Sequence, residues 1–258
     1  MDLGIEGKSA LVTGAASKKG IGYAISLALA REGVNIAAAD IDFEGVESLA
    51  QTIEGMGRKA FPIKINQGVY SEVKEGVSEI LEALGQIDIL INCAAITSNM
   101  GLLSKMATSA WENEINVNLT GPYYWMRELI PPMVKRGWGR VINIASTGGI
   151  IGSMGLPSYC ASKGGLIALT REAALETASR GVTVNTLALG IIKTGIYERG
   201  NMDSKVLDSI TRRIPLRRMG EPGEAADVAV FLASENARYI TGSTLIVDGA
   251  HSLNAFLP

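Results

Sequence analysis

The chain has 258 residues, a formal net charge of −2 and two cysteines. With no basic run longer than two residues it carries no electrostatic footprint for nucleic acid, and no apolar stretch is long enough to span a bilayer. Two cysteines do not make a disulfide scaffold, and Met1-Asp2-Leu3-Gly4-Ile5-Glu6 lacks the basic start and apolar core of a signal peptide, so a reducing cytoplasm is expected.

Apolar runs predict strands near 9–13, 34–39, 60–65, 87–92, 139–145, 182–188 and 244–247, with helical segments between them. The alternation continues without linker, repeat or low-complexity stretch, which predicts one α/β domain over residues 1–258. Right-handed crossovers make such a sheet parallel and doubly wound, with helices on both faces and ligands beyond the carboxyl ends of the strands.

In chain order, Ser9-Ala10-Leu11-Val12-Thr13 ends at Gly14, and Ala15-Ala16-Ser17-Lys18-Lys19-Gly20-Ile21-Gly22 leads into a helical run from Tyr23 to Ala30. Strand, glycine-rich turn and helix aim backbone N–H groups at a pyrophosphate. The run Val34 to Ala39 ends at Asp40, twenty residues after Gly20, where an acid can accept hydrogen bonds from an adenosine ribose. The third run is followed by Asn66 and the fourth by Asn92-Cys93-Ala94-Ala95. A long helical segment then carries Trp111, Asn118, Tyr123, Tyr124 and Trp125. The fifth run leads to Ser146, and Tyr159 and Lys163 follow, four residues apart. After the sixth comes Leu189-Gly190-Ile191-Ile192-Lys193-Thr194, and residues 195–220 are expected to form a mobile lid. His251, the only histidine, falls in a C-terminal tail with a surface or interface role, and no set of ligands has metal spacing. Cys160 has no histidine near it in sequence and reads as a small packed side chain.

Tyr159, Lys163 and Ser146 carry the chemistry. On a helix the first two share one face, and an ammonium beside a phenol favours the phenolate, moving a group with a reference pKa of about 10 toward working pH. Ser146 can donate a hydrogen bond to a carbonyl or alcohol oxygen held against the tyrosine. This is acid/base chemistry at a C–O centre.

Together these residues resemble the short-chain dehydrogenase/reductase family, over essentially the whole chain. The resemblance implies a single-domain Rossmann fold. Thr13-Gly14…Gly20-Ile21-Gly22 is similar to the family's nucleotide-binding turn, implying cofactor contacts at Gly14, Ser17, Gly20 and Ile21 besides Asp40. Asn92-Cys93-Ala94-Ala95 is similar to its Asn-Asn-Ala-Gly element, which implies contacts at Asn92 and Ala94. Leu189–Thr194 resembles its Pro-Gly-x-x-x-Thr segment, which implies nicotinamide contacts at Gly190, Ile192 and Thr194. Asn118, Ser146, Tyr159 and Lys163 match the catalytic tetrad. The implied roles are general acid/base for Tyr159, ribose holding and phenol activation for Lys163, substrate polarisation for Ser146, and a water-mediated proton relay through Asn118.

The chain departs from the family pattern at four places. Five residues rather than three separate Gly14 from Gly20, a spacing found in the enoyl-reductase branch. That branch places its tyrosine seven residues before the lysine, where this chain has Leu156, which argues against enoyl reduction. Asn66 stands where an adenine-binding aspartate is usual. Cys93, Ala95 and Leu189 replace an asparagine, a glycine and a proline.

The expected activity is NAD-dependent interconversion of a secondary alcohol and its ketone. Asp40 would repel the 2′-phosphate of NADP, whereas Lys18 and Lys19 could clamp it, and the fixed acid favours NAD. The main alternative is a 3-oxoacyl-carrier-protein reductase, whose acidic carrier could meet Arg212, Arg213, Arg217 and Arg218, and which prefers NADPH in the family. A non-catalytic nucleotide sensor is the reading from another class, and the intact tetrad opposes it. A homotetramer is implied by the family. Ala161, Gly164, Gly165 and Ala168 offer a close helix approach for it, with monomer core the competing role for the aromatics. Residues 97–103, 147–152 and the lid would line the substrate pocket.

Overall fold

A parallel strand covered by helices on both sides must be apolar on both faces, and β1 (Ser9–Thr13) is buried along its whole length. The structure, a computed structural model, describes residues 2–97, 100–195 and 204–253. After β1 come α1 (Ile21–Arg31), β2 (Asn35–Asp40), α2 (Phe43–Glu54), β3 (Ala60–Lys64), α3 (Tyr70–Leu84), β4 (Ile89–Asn92) and α4 (Thr108–Ile115). A π-helical turn (Asn116–Thr120) joins α4 to α5 (Gly121–Arg136). Then follow β5 (Gly139–Ser146), α6 (Gly148–Ile151), α7 (Pro157–Thr177), β6 (Val182–Leu189), α8 (Ser204–Arg212), α9 (Pro222–Ala233) and β7 (Thr244–Val247).

The seven strands form one parallel sheet in the order β3-β2-β1-β4-β5-β6-β7, the doubly wound topology expected from the sequence. Side chains alternate between its faces with period two. Val12, Ile36, Ile89, Ile91 and Ile142 point into one core with α1, α2 and α9. Leu11, Ala37, Leu90, Val141 and Val184 point into the other with α3 and α5, where Trp125 is fully buried. Burial of an aromatic of that size is worth about 2–3 kcal/mol over leaving it exposed. Trp125 is therefore monomer core, whereas Trp111 and Tyr123 stay 38% and 41% exposed.

Strand order reverses between β1 and β4, which opens a crevice at their carboxyl ends. Register keeps that edge level: Asn92 stands opposite Asn143, and Ser146 opposite Leu189. Helix starts differ in a way that matters for the site. At α2, Asp42 caps the helix by accepting a hydrogen bond from the Gly45 N–H at 3.1 Å. At α1, Gly20 occupies the cap position and no side chain bonds the first N–H groups. No helix among the described residues is long and apolar enough to cross a membrane. Of the expected lid, residues 196–203 lie outside the described residues. Its second half contains α8, and Lys193 N–H bonds to the Gly220 carbonyl at 2.8 Å, tying the end of the segment back beside β6.

Candidate active site

The glycine-rich turn is shaped by two close approaches. Gly14 has φ +69°, and a Cβ there would lie 2.6 Å from the Ala94 Cα. A Cβ on Gly22 would lie 2.4 Å from the Gly14 carbonyl oxygen. Only residues without a side chain let β1, α1 and the loop after β4 meet here. The result is a backbone cradle in front of an uncapped helix N-terminus, which fits the pyrophosphate of a dinucleotide. Ser17 closes the turn through its carbonyl, which accepts the Gly20 N–H at 2.7 Å, and Ile21 begins α1. Thr13 fixes the far wall: its hydroxyl oxygen accepts the N–H groups of Cys93 and Ala94, each at 3.0 Å.

Asp40 lies at the end of β2, half-buried beside this turn. One carboxylate oxygen accepts the Ala16 N–H at 3.1 Å and the other the Asp42 N–H at 3.2 Å. The acid therefore anchors the five-residue glycine turn. Lys18 and Lys19 are exposed on the same turn, and the segment after β6 crosses it, since a Cβ on Gly195 would come within 3.9 Å of the Lys19 Cβ. Asn66 is exposed beyond β3, its side-chain carbonyl accepting the Gly68 N–H at 3.0 Å. Gly190 follows β6 so tightly that a Cβ would lie 2.5 Å from the Asp248 Cβ, and Ile192 pairs as a bridge with Gly220. Thr194 turns back through its N–H onto the Ile192 carbonyl at 2.8 Å.

Asn92 ties the central strands together at the end of β4. Its side chain is buried, and its Nδ2 group donates to Asn143 Oδ1 at 2.8 Å. Asn143 donates to Thr170 Oγ1 at 2.9 Å, as does the Thr186 hydroxyl at 2.8 Å. This polar line runs under the site across β4, β5 and β6 and into α7. Asn92 Oδ1 is buried without a hydrogen-bond partner among the described residues.

Ser146 ends β5, Tyr159 lies in the first turn of α7, and Lys163 follows one turn later. They converge around α6, where Gly149 has no room for a side chain: a Cβ there would lie 2.7 Å from the Lys163 carbonyl carbon, whereas one on Gly148 would make ordinary contact with Ser146 Oγ at 3.4 Å. Lys163 Nζ lies 5.8 Å from the centre of the Tyr159 ring and donates to the Ile144 carbonyl at 2.8 Å. Burial pushes the Lys163 ammonium down to about 8. The nearby Cys93 thiol is pushed up to about 12 by burial, which makes it a protonated, poor nucleophile. Cys160 Sγ contacts the Ser153 carbonyl at 3.7 Å.

Asn118 sits in the π-helical turn, fully buried, with its Oδ1 accepting the Ile96 N–H and its Nδ2 donating to the Ile96 carbonyl, both at 2.8 Å. Gln67 was not singled out by its residue type. It is buried, donates to the carbonyls of Ala94 (3.2 Å) and Val117 (2.8 Å), and accepts from the Trp125 indole at 3.3 Å. Gly164 and Gly165, expected to offer a close helix approach, have close neighbours within the chain, the Gly149 carbonyl and Leu119. Around the cleft mouth Met100, Leu102, Leu103, Ile150, Ile151 and Met154 are exposed, and the Gly101 N–H joins the two segments that carry them by bonding the Gly155 carbonyl at 2.9 Å.

A family profile described as enoyl-(acyl carrier protein) reductase matches residues 14–251. The 3-oxoacyl-[acyl-carrier-protein] reductase FabG of Thermotoga maritima is 40% identical over 245 residues, covering 95% of this chain and 98% of the relative. The protein of the same name from Staphylococcus epidermidis is 39% identical over 246 residues, covering 94% and 98%. Among solved structures, a protein assigned as a short-chain alcohol dehydrogenase from Sinorhizobium meliloti has a TM-score of 0.91 at 30% identity, covering 97% of this chain and 98% of that one. One assigned as a gluconate dehydrogenase from Agrobacterium tumefaciens has a TM-score of 0.92 at 29% identity, covering both chains fully. With its parallel sheet and glycine-shaped nucleotide cradle, the chain belongs to the short-chain dehydrogenase/reductase family, and it is an oxidoreductase of that family acting on CH–OH groups with a nicotinamide cofactor.

Proposed function

We propose that the protein reduces the 3-oxo group of an acyl thioester to the 3-hydroxy group, with the acyl chain carried on acyl carrier protein. The observation that carries this reading is the near-full-length match, at 37–40% identity, to several 3-oxoacyl-carrier-protein reductases. It displaces the expectation of a general alcohol dehydrogenase as the leading reading. The exposed apolar side chains at the cleft mouth support it, because they suit a hydrocarbon chain and offer little to a polyhydroxylated substrate.

A nicotinamide cofactor held in the cradle would supply the hydride for the carbonyl carbon. Tyr159 donates the proton to the developing alkoxide, and Ser146 holds the same oxygen by a hydrogen bond. Lys163, fixed by the Ile144 carbonyl, keeps a cation beside the phenol and would hold the ribose hydroxyls of the cofactor. With the Asn118 amide engaged by Ile96, a relay water would be held by the main chain of the π-helical turn. Gly14, Ser17, Gly20 and Ile21 would hold the pyrophosphate, and Asn66 and Ala94 would serve the adenosine half. Gly190, Ile192 and Thr194 would hold the carboxamide. Asn92 supports the floor from beneath.

The cofactor reading favours NAD. Asp40 is clamped by two backbone N–H groups and cannot swing away from a 2′-phosphate, whereas Lys18 and Lys19 sit at the exposed rim. This fixed acid also keeps a second reading in play, an NAD-dependent secondary-alcohol dehydrogenase. The arginines offered to an acidic carrier are fewer than the sequence suggests. Arg218 is held bidentately by Glu224 at 2.6 and 2.7 Å, and Arg217 donates to the Arg212 carbonyl at 2.8 Å. A homotetramer is proposed from the exposed Trp111 and Tyr123 and from the family pattern.

The test is NADH and NADPH oxidation with acetoacetyl thioesters on carrier protein and on coenzyme A, beside simple secondary alcohols and ketones, with Tyr159→Phe as control. Tyrosine-dependent turnover fastest on the carrier-bound thioester supports the proposal. Faster turnover of simple alcohols transfers it to the dehydrogenase reading.

A further inference from the structure

Glu114 is a carboxylate on α4 that is only 1% exposed, and it plays no part in the mechanism above. It accepts a hydrogen bond from the hydroxyl of Ser158, itself fully buried, at 2.5 Å. Ser158 immediately precedes Tyr159 in the first turn of α7. Four residues after Glu114, Asn118 Nδ2 lies 3.4 Å from Ser162 Oγ, and Ser162 stands four residues after Ser158. One helical turn on each side therefore separates two matched rungs, Glu114–Ser158 and Asn118–Ser162. Gly165 lets the helices approach closely, since a Cβ there would lie 2.8 Å from Leu119 Cδ2.

Tyr159 and Lys163 are the next residues after the two rung serines, so the ladder and the proton-transfer pair are adjacent stripes of one helix. The first rung is the stronger, because a carboxylate acceptor makes a shorter and roughly twice stronger hydrogen bond than a neutral one. It also lies at the start of α7, where no side chain of the helix itself caps the N–H groups and its first turn contains no acidic residue. A negative charge from a neighbouring helix is favourable at that position.

We propose that Glu114 is a positioning residue: through Ser158 it fixes the rotation and axial register of the first turn of α7, and so the placement of the Tyr159 hydroxyl against the substrate oxygen. This inference rests on the acid/base role given to Tyr159. Near-attack geometry is sensitive, and a misplacement of about 1 Å can cost up to about 100-fold in rate.

The test compares wild type with Glu114→Leu, Glu114→Gln, Ser158→Ala and the Glu114→Leu/Ser158→Ala double variant, using NADH and ethyl acetoacetate. Each variant is also followed by hydrogen exchange of the peptide covering residues 156–163. Glu114→Leu is expected to lower kcat about 10- to 100-fold while KM for NADH stays within about twofold, since the nucleotide cradle is untouched. Glu114→Gln, which keeps an acceptor oxygen, should recover most of that loss, and the double variant should be no slower than Glu114→Leu alone. Exchange should accelerate in residues 156–163 and not in the strands. A folded Glu114→Leu protein with kcat within about twofold of wild type would overturn the proposal. So would additive losses in the double variant, or exchange that accelerates uniformly through the chain. If wild type leaves ethyl acetoacetate unreduced, the functional reading fails for that substrate class. The exchange comparison then still decides the clamp: unchanged protection of 156–163 in Glu114→Leu overturns it.

Discussion

At the amino ends of the strands Arg140 is buried, stacks 4.5 Å from the Trp138 ring, and pairs with Glu235 at 3.2 Å, while Lys8 covers the same ring at 3.9 Å. At the carboxyl ends Lys163 is equally buried but leans on a carbonyl dipole, Asn92 keeps an oxygen without a partner, and α1 opens without a capping side chain. The first edge resolves its charges internally and ties down the chain start, with the Glu235 N–H bonded to the Leu3 carbonyl at 2.9 Å. The second leaves the uncapped N–H groups of α1 and a costly cation beside the cleft. One sheet thus separates stability from chemistry by about one strand length, which is why substitutions at its two ends should have different signatures.

The largest effect should come from Tyr159→Phe, which removes the proton and keeps the ring. Stopped-assay turnover is expected to fall about 1,000-fold while NADH fluorescence titration shows affinity within about twofold; near-normal turnover would remove the tyrosine from the mechanism. Arg140→Leu attacks the other edge. Urea unfolding should show a loss of about 2–3 kcal/mol, within the range for breaking a buried ion pair, with kcat/KM unchanged. A comparable kinetic defect would mean that the two edges are coupled. Asp40→Ala should weaken NADH binding about tenfold and relax discrimination against NADPH. Because the carboxylate also holds Ala16, some of that loss is expected for both nucleotides, whereas Asp40→Asn should preserve more of the turn.

The smallest effect is in pH dependence. With Lys163 lowered to about 8, kcat/KM should decline above that pH as the cation is lost from the free enzyme. Stability moves the other way. Between about pH 8 and the ordinary lysine range, the unfolded chain holds a proton that the native chain has released, so this group's contribution to stability rises with pH. Lys163→Met removes that contribution, and urea midpoints at pH 7 and pH 9 should show its advantage over wild type shrinking at the higher pH. An advantage that does not shrink would show that the native lysine keeps its proton through this window.

Fold and motif differ in how far they could be read from the residues. All seven strands were legible within about two residues, because fully covered parallel strands are uninterrupted apolar runs that stop where the chain turns toward the site. The positions of Gly14, Asp40, Asn92, Ser146 and Gly190 followed from those stops, and Tyr159 and Lys163 from their four-residue helical spacing. The supporting groups did not. Gln67, Glu114 and Ser162 acquire meaning only through partners 27 to 58 residues away, such as Ala94, Val117 and Trp125 for Gln67 and Ser158 for Glu114, and no local spacing signals such a pairing. The π-helical turn at Asn118 was equally silent, since its five residues look like ordinary helix. Gly164 and Gly165 showed small volume without showing whether an intrachain or an intersubunit neighbour would fill the space.

The line Asn92–Asn143–Thr170–Thr186 has a further consequence for how the sheet assembles. A slip of one residue between neighbouring strands would send every apolar side chain into the opposite core, whose shape it does not fit, so packing opposes it. A slip of two residues would not: Ile, Val and Leu would still face their cores, and the error would be nearly invisible to hydrophobic burial. Asn92 stands opposite Asn143, and Asn143 opposite Thr186, so a two-residue slip would strand several polar groups in an apolar interior. The buried amides therefore act as a proofreading mark for strand alignment, and they sit directly beneath the edge whose evenness the chemistry requires.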